Sequence, residues 1–333
     1  MIPPMPPPRL DVASLPTRVR PLARLSKAWG GATLWIKHDD DTGTLLSGNK
    51  IRKLQYAVRE AIDQGADTLV TCGGIQSNHC RATAALARRM GLRISLVLRG
   101  EPPATSTGNL LLDEVLGAEI EWVTPEQYRQ HGAVMDQVAE RLRAAGRRPY
   151  VIAEGCSMPV GSWGYIEAAR EIADAEREHG LRFDAIVHAV GSGGTSAGLE
   201  LGLRLCGLGA QLYGINVCDD ASYFRERIAG LCAATAEIYG LPVTVPPHEI
   251  DLIDGYVGLG YGQTRPEELA ALVMLARLEG VILDPVYGGK AFHALSQLWH
   301  AEPFARMHDV LFIHTGGLHG LYAHAEALAE VVG

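Results

Sequence analysis

Ser47-Gly48-Asn49-Lys50 places a lysine at the start of a helix read over 51–64. A cation there meets the positive end of the helix dipole, which lowers its pKa and leaves more free amine. Free amine is the form that makes a Schiff base with a carbonyl. Most lysines are surface residues, and structural ones are perturbed by the same forces. Lys50 therefore becomes chemistry only if other stretches supply what a carbonyl cofactor or substrate requires.

Gly191-Ser192-Gly193-Gly194-Thr195 lies between a buried strand and a helix. Glycines let backbone N–H groups turn inward around an anion, and the helix N-terminus adds partial positive charge. The loop alone fits a phosphate monoester, a dinucleotide or a plain tight turn. A dinucleotide fingerprint wants Gly or Ala where Ser196 stands, although Asp219 and Asp220 close the next strand. A Walker loop is excluded, since no Gly-Lys-Ser/Thr follows.

Gly73-Gly74-Ile75-Gln76-Ser77-Asn78-His79 is the third stretch. Ser77 and Asn78 are good helix caps, and with nearby N–H groups they suit a small carboxylate. His79 has the weaker case, since a histidine at a helix start is more often structural or solvated. Tyr261, in the glycine-rich loop 254–262, Tyr287, before Gly288-Gly289, and Thr315, in His314-Thr315-Gly316-Gly317, complete the set. The last segment ends a strand, and ligands of open parallel sheets bind at strand carboxyl ends. His38-Asp39-Asp40-Asp41 invites a metal, but consecutive residues rarely point at one ion; it reads as a solvated turn, and no metal is expected.

These groups need a frame that gathers strand ends. Strands at 34–36, 68–72, 94–98, 120–123, 150–152, 185–189, 212–217 and 310–313 alternate with helices at 51–64, 79–90, 108–116, 126–145, 161–178, 196–206, 223–239, 266–279, 290–299 and 318–331. Such alternation means an α/β protein with parallel strands and right-handed crossovers. A length of 333 residues suggests two packed units. The division is read as a small domain, 48–160, inserted into a large one made of 1–47 and 161–333.

Hydrophobic residues are 47%, charged residues 20% and glycines 38 in number, which suits an α/β enzyme. The net charge of −8 argues against a nucleic-acid surface, so an anionic ligand must be held by local donors. Cys72, Cys80, Cys156, Cys206, Cys218 and Cys232 form no metal-binding spacing and read as reduced thiols of a cytoplasmic protein. Met1 to Pro8 is a proline-rich arm, extended or disordered, rather than a secretion signal. No apolar run approaches the roughly 18 residues of a membrane span.

Five motifs in chain order, Ser47-Gly-Asn-Lys50-Ile-Arg-Lys-Leu, Gly74-Ile-Gln-Ser-Asn78-His, Val190-Gly-Ser-Gly-Gly-Thr195, Leu283-Asp-Pro-Val-Tyr287 and His314-Thr-Gly-Gly317, resemble one family. It is the D-cysteine desulfhydrase and 1-aminocyclopropane-1-carboxylate (ACC) deaminase family of pyridoxal-phosphate enzymes. The likeness runs over nearly the whole chain after the arm. It implies PLP fold type II, the tryptophan-synthase-β class, with two open, twisted, mostly parallel sheets flanked by helices, usually as a homodimer. It also implies that Lys50 is the Schiff-base lysine, Gly191 to Thr195 hold the cofactor phosphate, and Asn78 contacts the pyridine O3′. Ser77, with Asn78 and His79, would meet a small amino-acid substrate, Tyr261 and Tyr287 would line the site, and Thr315 would approach the ring nitrogen.

Within that resemblance, ACC deaminases carry an acid directly after the tyrosine matching Tyr287, which keeps the pyridine protonated, and desulfhydrases carry a threonine. Gly288 departs from both. A hydroxyl such as Thr315 gives a weaker electron sink, which suits β-elimination better than ring opening. The expected activity is D-cysteine desulfhydration to pyruvate, hydrogen sulfide and ammonia. ACC deamination and a sulfo-lyase acting on L-cysteate are the alternatives within the family. Outside it stand an NAD-dependent dehydrogenase using the Gly191 loop and Asp219, and a non-catalytic cofactor- or amino-acid-binding protein.

Overall fold

A computed structural model describes residues 5–333; residues 1–4 of the proline arm lie outside the described residues. Strands β1 (Val19–Pro21), β2 (Thr33–His38), β7 (Ala185–Val190), β8 (Gln211–Asn216), β9 (Asp251–Ile253) and β10 (Asp309–His314) form one sheet in the order β1-β2-β10-β7-β8-β9. Strands β3 (Thr68–Gly74), β4 (Arg93–Arg99), β5 (Glu119–Val123) and β6 (Pro149–Val151) form the second, in the order β5-β4-β3-β6. All pairings are parallel except β1 with β2. Every residue of β3 and β7 is buried, because helices cover both faces of a parallel sheet and leave no polar side to alternate.

β1, the helix Ala23–Trp29 and β9 are absent from the reading of the sequence. The two strands are three residues long, half-buried, and lie at the sheet edges, so neither shows a buried run. The helix read over 126–145 is two, Pro125–Tyr128 and His131–Ala144. The first starts in a Thr124–Gln127 capping box, and the break turns Tyr128 inward, where its hydroxyl donates to Glu154. The helix read over 318–331 is Leu318–Leu321, a 3-10 turn at Tyr322–His324, and Ala325–Val332.

The helix that carries Lys50, Asn49–Asp63, packs Ile51, Leu54 and Val58 into the core of the four-stranded sheet. Against it lies Pro159–His179, at a distance only glycine permits: a Cβ on Gly164 would sit 2.5 Å from the Arg52 carbonyl. Gly198 likewise leaves no room for a side chain against Tyr165, so the helix Gly194–Cys206 closes on the same support.

Under the first turn of Asn49–Asp63 lies a buried ionic cluster. Arg52 donates to Asp39 Oδ1 at 2.8 Å, to Glu171 at 2.9 and 2.7 Å and to Thr17 Oγ1 at 2.9 Å. Lys37 donates to Glu171 at 2.5 Å and to Thr17 Oγ1 at 2.8 Å, and the Tyr165 hydroxyl donates to Asp39 Oδ2 at 2.6 Å. Asp39, read above as part of a solvated turn, is thus fully buried. Its charge is tolerable because Arg52, thirteen residues along the chain, neutralises it.

Burial alone would raise the Asp39 carboxyl, but Arg52 and Lys37 outweigh it and hold the group below the usual carboxylate range. Glu171 is held low by the same two cations. A carboxyl that titrates lower in the folded chain than in the unfolded one stabilises fully above the unfolded pKa and loses that contribution as pH falls through the folded one. Asp39→Asn should therefore cost roughly 3–5 kcal/mol at neutral pH, as removal of one partner from a buried pair does. The urea midpoint of the wild type should fall as the medium is acidified below the carboxylate range, and that of the variant should fall less. A neutral-pH difference below about 1 kcal/mol, the value of an exposed pair, would overturn this account.

Candidate active site

The carboxyl ends of β3, β4, β7, β8 and β10 face a cavity of about 540 Å³. Its wall contains Lys50, Ser77, Asn78, His79, Gly191, Ser192, Gly193, Thr195, Tyr261, Tyr287 and Thr315. Of the residues assigned above to cofactor or substrate, only Gly194 is outside that lining; it stands one step behind, its N–H donated to Ser157 Oγ at 3.1 Å.

Lys50 is in the first turn of its helix because Gly48 adopts φ +105° and leaves the chain against β10. A Cβ on Gly48 would lie 2.8 Å from the Thr315 carbonyl, which accepts from Asn49 N at 3.0 Å. Arg81, wholly buried, donates to the carbonyls of Leu45 and Ser47 and so ties the helix Asn78–Arg89 to the same loop. Lys50 Nζ donates to Asn49 Oδ1 at 2.9 Å, and Asn49 Nδ2 donates to Thr195 Oγ1 at 3.1 Å. Burial first, then the neighbouring Lys53 ammonium, brings the Lys50 amine down to about 7, against the pull of Asp284. Burial also lowers Lys53 to about 8, and its Nζ donates to the Gly155 carbonyl.

The glycine loop is a cradle in which side chains would collide. Gly193 has φ +84°, a Cβ on Gly191 would meet the Tyr287 ring at 2.7 Å, and one on Gly155 would meet Ser192 Oγ at 2.2 Å. Ser157 Oγ donates to Ser192 Oγ at 2.9 Å, and Arg227 Nε donates to the Ser192 carbonyl at 3.0 Å.

At the helix start opposite, Ser77 accepts from Cys80 N at 3.2 Å as N-cap, and Asn78 Oδ1 accepts from Asn109 Nδ2 at 2.9 Å. His79 is turned to the core side of the wall. Thr71 donates its hydroxyl to the Ile152 carbonyl at 2.8 Å, so at 2.7 Å His79 Nε2 is the donor to Thr71 Oγ1 and Nδ1 keeps the lone pair. Burial and the two lysines push its pKa well down, leaving a neutral ring.

Tyr287 donates to the Tyr261 hydroxyl at 2.9 Å, with the rings edge to face at 5.9 Å. Burial raises Tyr261 to about 12 and Tyr287 well above the usual value, so both remain protonated at neutral pH. Asp284 sets Tyr287 in place by accepting from the N–H groups of Val286, Tyr287 and Gly288 at 3.1, 2.8 and 2.7 Å. Lys290 donates to the Val257 and Gly260 carbonyls at 2.7 and 2.8 Å and pins the loop that carries Tyr261.

Sequence reasoning missed Arg99, Tyr128, Glu154, Ser157 and Lys290 at or behind this wall. Arg99 was open to inference, since it ends a strand read at 94–98, where parallel sheets bind ligands. Tyr128 and Lys290 lie in helices and Glu154 and Ser157 in the turn after β6, and none carries a local pattern that points to the site. Ligand atoms of His38, Asp40 and Asp41 lie within 4.8 Å of one another. His38 Nε2 accepts from Arg20 and Nδ1 donates to Asp40, which leaves no lone pair for a cation. Among the described residues the six cysteines are free and no helix is long and apolar enough to cross a membrane.

The profile of the family described as "Pyridoxal-phosphate dependent enzyme" matches residues 11–316. The chain is 43% identical to the bifunctional D-cysteine desulfhydrase/1-aminocyclopropane-1-carboxylate deaminase, mitochondrial, of Arabidopsis thaliana, over 99% of this chain and 83% of that protein. It is 40% identical to a D-cysteine desulfhydrase of Yersinia pestis, over 95% of this chain and 96% of that protein. A crystal structure of an ACC deaminase homologue superposes with a TM-score of 0.89 at 36% identity, over 98% of this chain and 96% of that one.

The residues fit such a cofactor: a cradle whose walls a Cβ would fill suits a phosphate, and a lysine brought down to about 7 suits a carbonyl. In protein stripped of carbonyl compounds, pyridoxal phosphate trapped on Lys50 by borohydride should increase with pH through about 7 and level off above it, because the amine is the reacting form. An ordinary lysine would keep gaining reactivity to about pH 10. A rate that still climbs above pH 9, or trapping that persists in Lys50→Ala, would overturn the assignment.

Proposed function

The chain belongs to the pyridoxal-phosphate-dependent enzymes, and among them to the ACC deaminase/D-cysteine desulfhydrase family, and from that premise we propose that it is a D-cysteine desulfhydrase. It is a pyridoxal-phosphate-dependent lyase by family; the choice of substrate is the step taken here. D-Cysteine and water would give pyruvate, hydrogen sulfide and ammonia.

In this reading Lys50 is the covalent anchor of the cofactor, Gly191 to Thr195 hold its phosphate, and Asn78 and Thr315 flank its ring. When bound, pyridoxal phosphate supplies an electron sink for the charge left at Cα. The other functions fall to the chain itself. The start of Asn78–Arg89, with Ser77 as its cap, binds the substrate carboxylate through N–H groups and the helix dipole. Lys50, with its amine near neutrality, takes the Cα proton at Nζ. Tyr287 donates to Tyr261, so the Tyr261 proton is directed elsewhere and can be given to the departing sulfur.

The observation that carries the choice is the turn behind Tyr287, where Gly288 stands against Asp284. Gly288 offers no side chain, and Asp284, the acid of this turn, spends its oxygens on three backbone N–H groups. Thr315 then leaves the ring nitrogen a hydroxyl rather than a carboxylate. A weaker sink suffices when a good leaving group departs from Cβ, whereas opening a cyclopropane through an extended carbanion needs a stronger one.

Pyruvate from D-cysteine and 2-oxobutyrate from ACC, measured on one preparation, test the reading. D-Cysteine should have the higher kcat/KM, and faster turnover of ACC would refute the choice. Tyr261→Phe should lower kcat on D-cysteine by about 10²-fold, the usual contribution of a positioned proton donor. The loss on β-chloro-D-alanine should be smaller, since chloride leaves without a proton. Equal losses would remove Tyr261 from the role of acid.

A further inference from the structure

Arg99 ends β4 at the cavity wall, and its guanidinium carbon is 4.8 Å from the centre of the Tyr261 ring and 5.1 Å from that of Tyr128. Among the described residues it makes no ion pair and its side chain makes no hydrogen bond. Glu154 lines the same cavity, but its Oε1 accepts from the Tyr128 hydroxyl. The faces of two aromatic rings stabilise a cation without neutralising it, and they leave its forked N–H donors for another partner.

The position says what that partner is. Arg99 is the register partner of Gly74 in β3, three residues before the Ser77 cap. A Cβ on Gly74 would lie 2.7 Å from the Tyr261 ring, so the glycine lets Tyr261, with Arg99 against its ring, close over this side of the cavity. The helix start at Ser77, just past the end of β3, and the guanidinium of Arg99, at the end of β4, are thus two separate anion-seeking groups. Arg129 adds a second guanidinium to the same wall, with the Glu154 and Asp219 carboxylates opposing it.

We propose that Arg99, held between Tyr128 and Tyr261, is a specificity-determining subsite for a negatively charged β-substituent of the amino-acid substrate, a sulfonate or a thiolate. The inference rests on the reading of this cavity as a β-elimination site. In that reaction the Cβ–S bond breaks and its electron pair leaves on sulfur, as sulfite from cysteate or hydrogen sulfide from cysteine. Water later supplies the oxygen of pyruvate and releases ammonia. Negative charge grows on the departing sulfur, so a guanidinium facing it favours departure as well as binding.

The holoenzyme and its Arg99→Met and Arg99→Lys forms should be compared on both enantiomers of cysteate, on D-cysteine and on β-chloro-D-alanine, whose substituent is neutral. Cysteate affinity is also measured by calorimetry, whether or not cysteate turns over. Loss of a charged hydrogen bond predicts that Arg99→Met lowers the preference for cysteate over β-chloro-D-alanine by about tenfold or more, through KM or Kd, with Arg99→Lys restoring part of it. A proportional loss on every substrate would show that Arg99 serves the common carboxylate or the fold, and would overturn the proposal. So would wild-type enzyme that binds neither enantiomer of cysteate more tightly than D-alanine. Wild-type enzyme that makes no pyruvate from D-cysteine, yet shows the Arg99-dependent preference for cysteate, would refute the desulfhydrase reading and leave the subsite standing.

Discussion

The contact between Gly48 and the Thr315 carbonyl is the constraint on which the site depends. No L-residue with a side chain fits there, both because φ is +105° and because the carbonyl is too close. The contact brings the helix that carries Lys50 to the carboxyl end of β10, and Asn49 N closes it with a hydrogen bond to that carbonyl. Asn49 then reaches Thr195 across the cavity, so the lysine, the glycine cradle and the last strand are joined within one residue of Lys50. The ionic cluster at Arg52 fixes the same turn from below. A lysine held at both ends of its turn keeps its amine in place without a carboxylate partner, and that lack of a partner is what lets burial lower its pKa.

The electrostatics of the wall follow from the same economy. His79 is neutral, both tyrosines keep their protons, and Lys50 and Lys53 are near the point of losing theirs. A cavity whose one lysine can gain or lose a proton near neutrality, among neighbours that hold their protonation states, suits acid–base work better than charge storage. The buried charges that are retained, Asp39, Glu171, Arg52 and Lys37, sit below the site and compensate one another. Arg99 differs from these, since it stands on the wall with aromatic rings in place of a carboxylate.

The division between what the sequence disclosed and what it did not is physical. Lys50, the Gly191 loop and the Ser77 cap were legible because each is a local device: a helix end or a glycine turn is written in consecutive residues. The long alternation of strands and helices was legible for the same reason, since β3 and β7 are uninterrupted buried runs. β1 and β9 lack that mark. Ser157 and Tyr128 act through partners 35 and 26 residues away, with no pattern to announce the pairing. Asp39 was misjudged because its neighbours in the chain are polar, while its neighbours in space, Arg52 and Tyr165, are 13 and 126 residues distant.

The same distinction bears on specificity. The machinery common to this chemistry lies at strand ends and helix starts, which the fold itself supplies, and a shared fold therefore says little about the substituent on Cβ. What selects that substituent must be a side chain free of structural duty, because a group already committed to the scaffold cannot answer to the ligand. Asp284 fails this criterion, with both oxygens held by backbone N–H groups, and so does Lys290, held by two carbonyls. Gly288 has no side chain to offer, which shifts the choice to groups on the wall. Arg99 meets the criterion by keeping its donors uncommitted, and its place on β4, outside the strands that carry the cradle and the lysine contact, lets that choice vary without disturbing either.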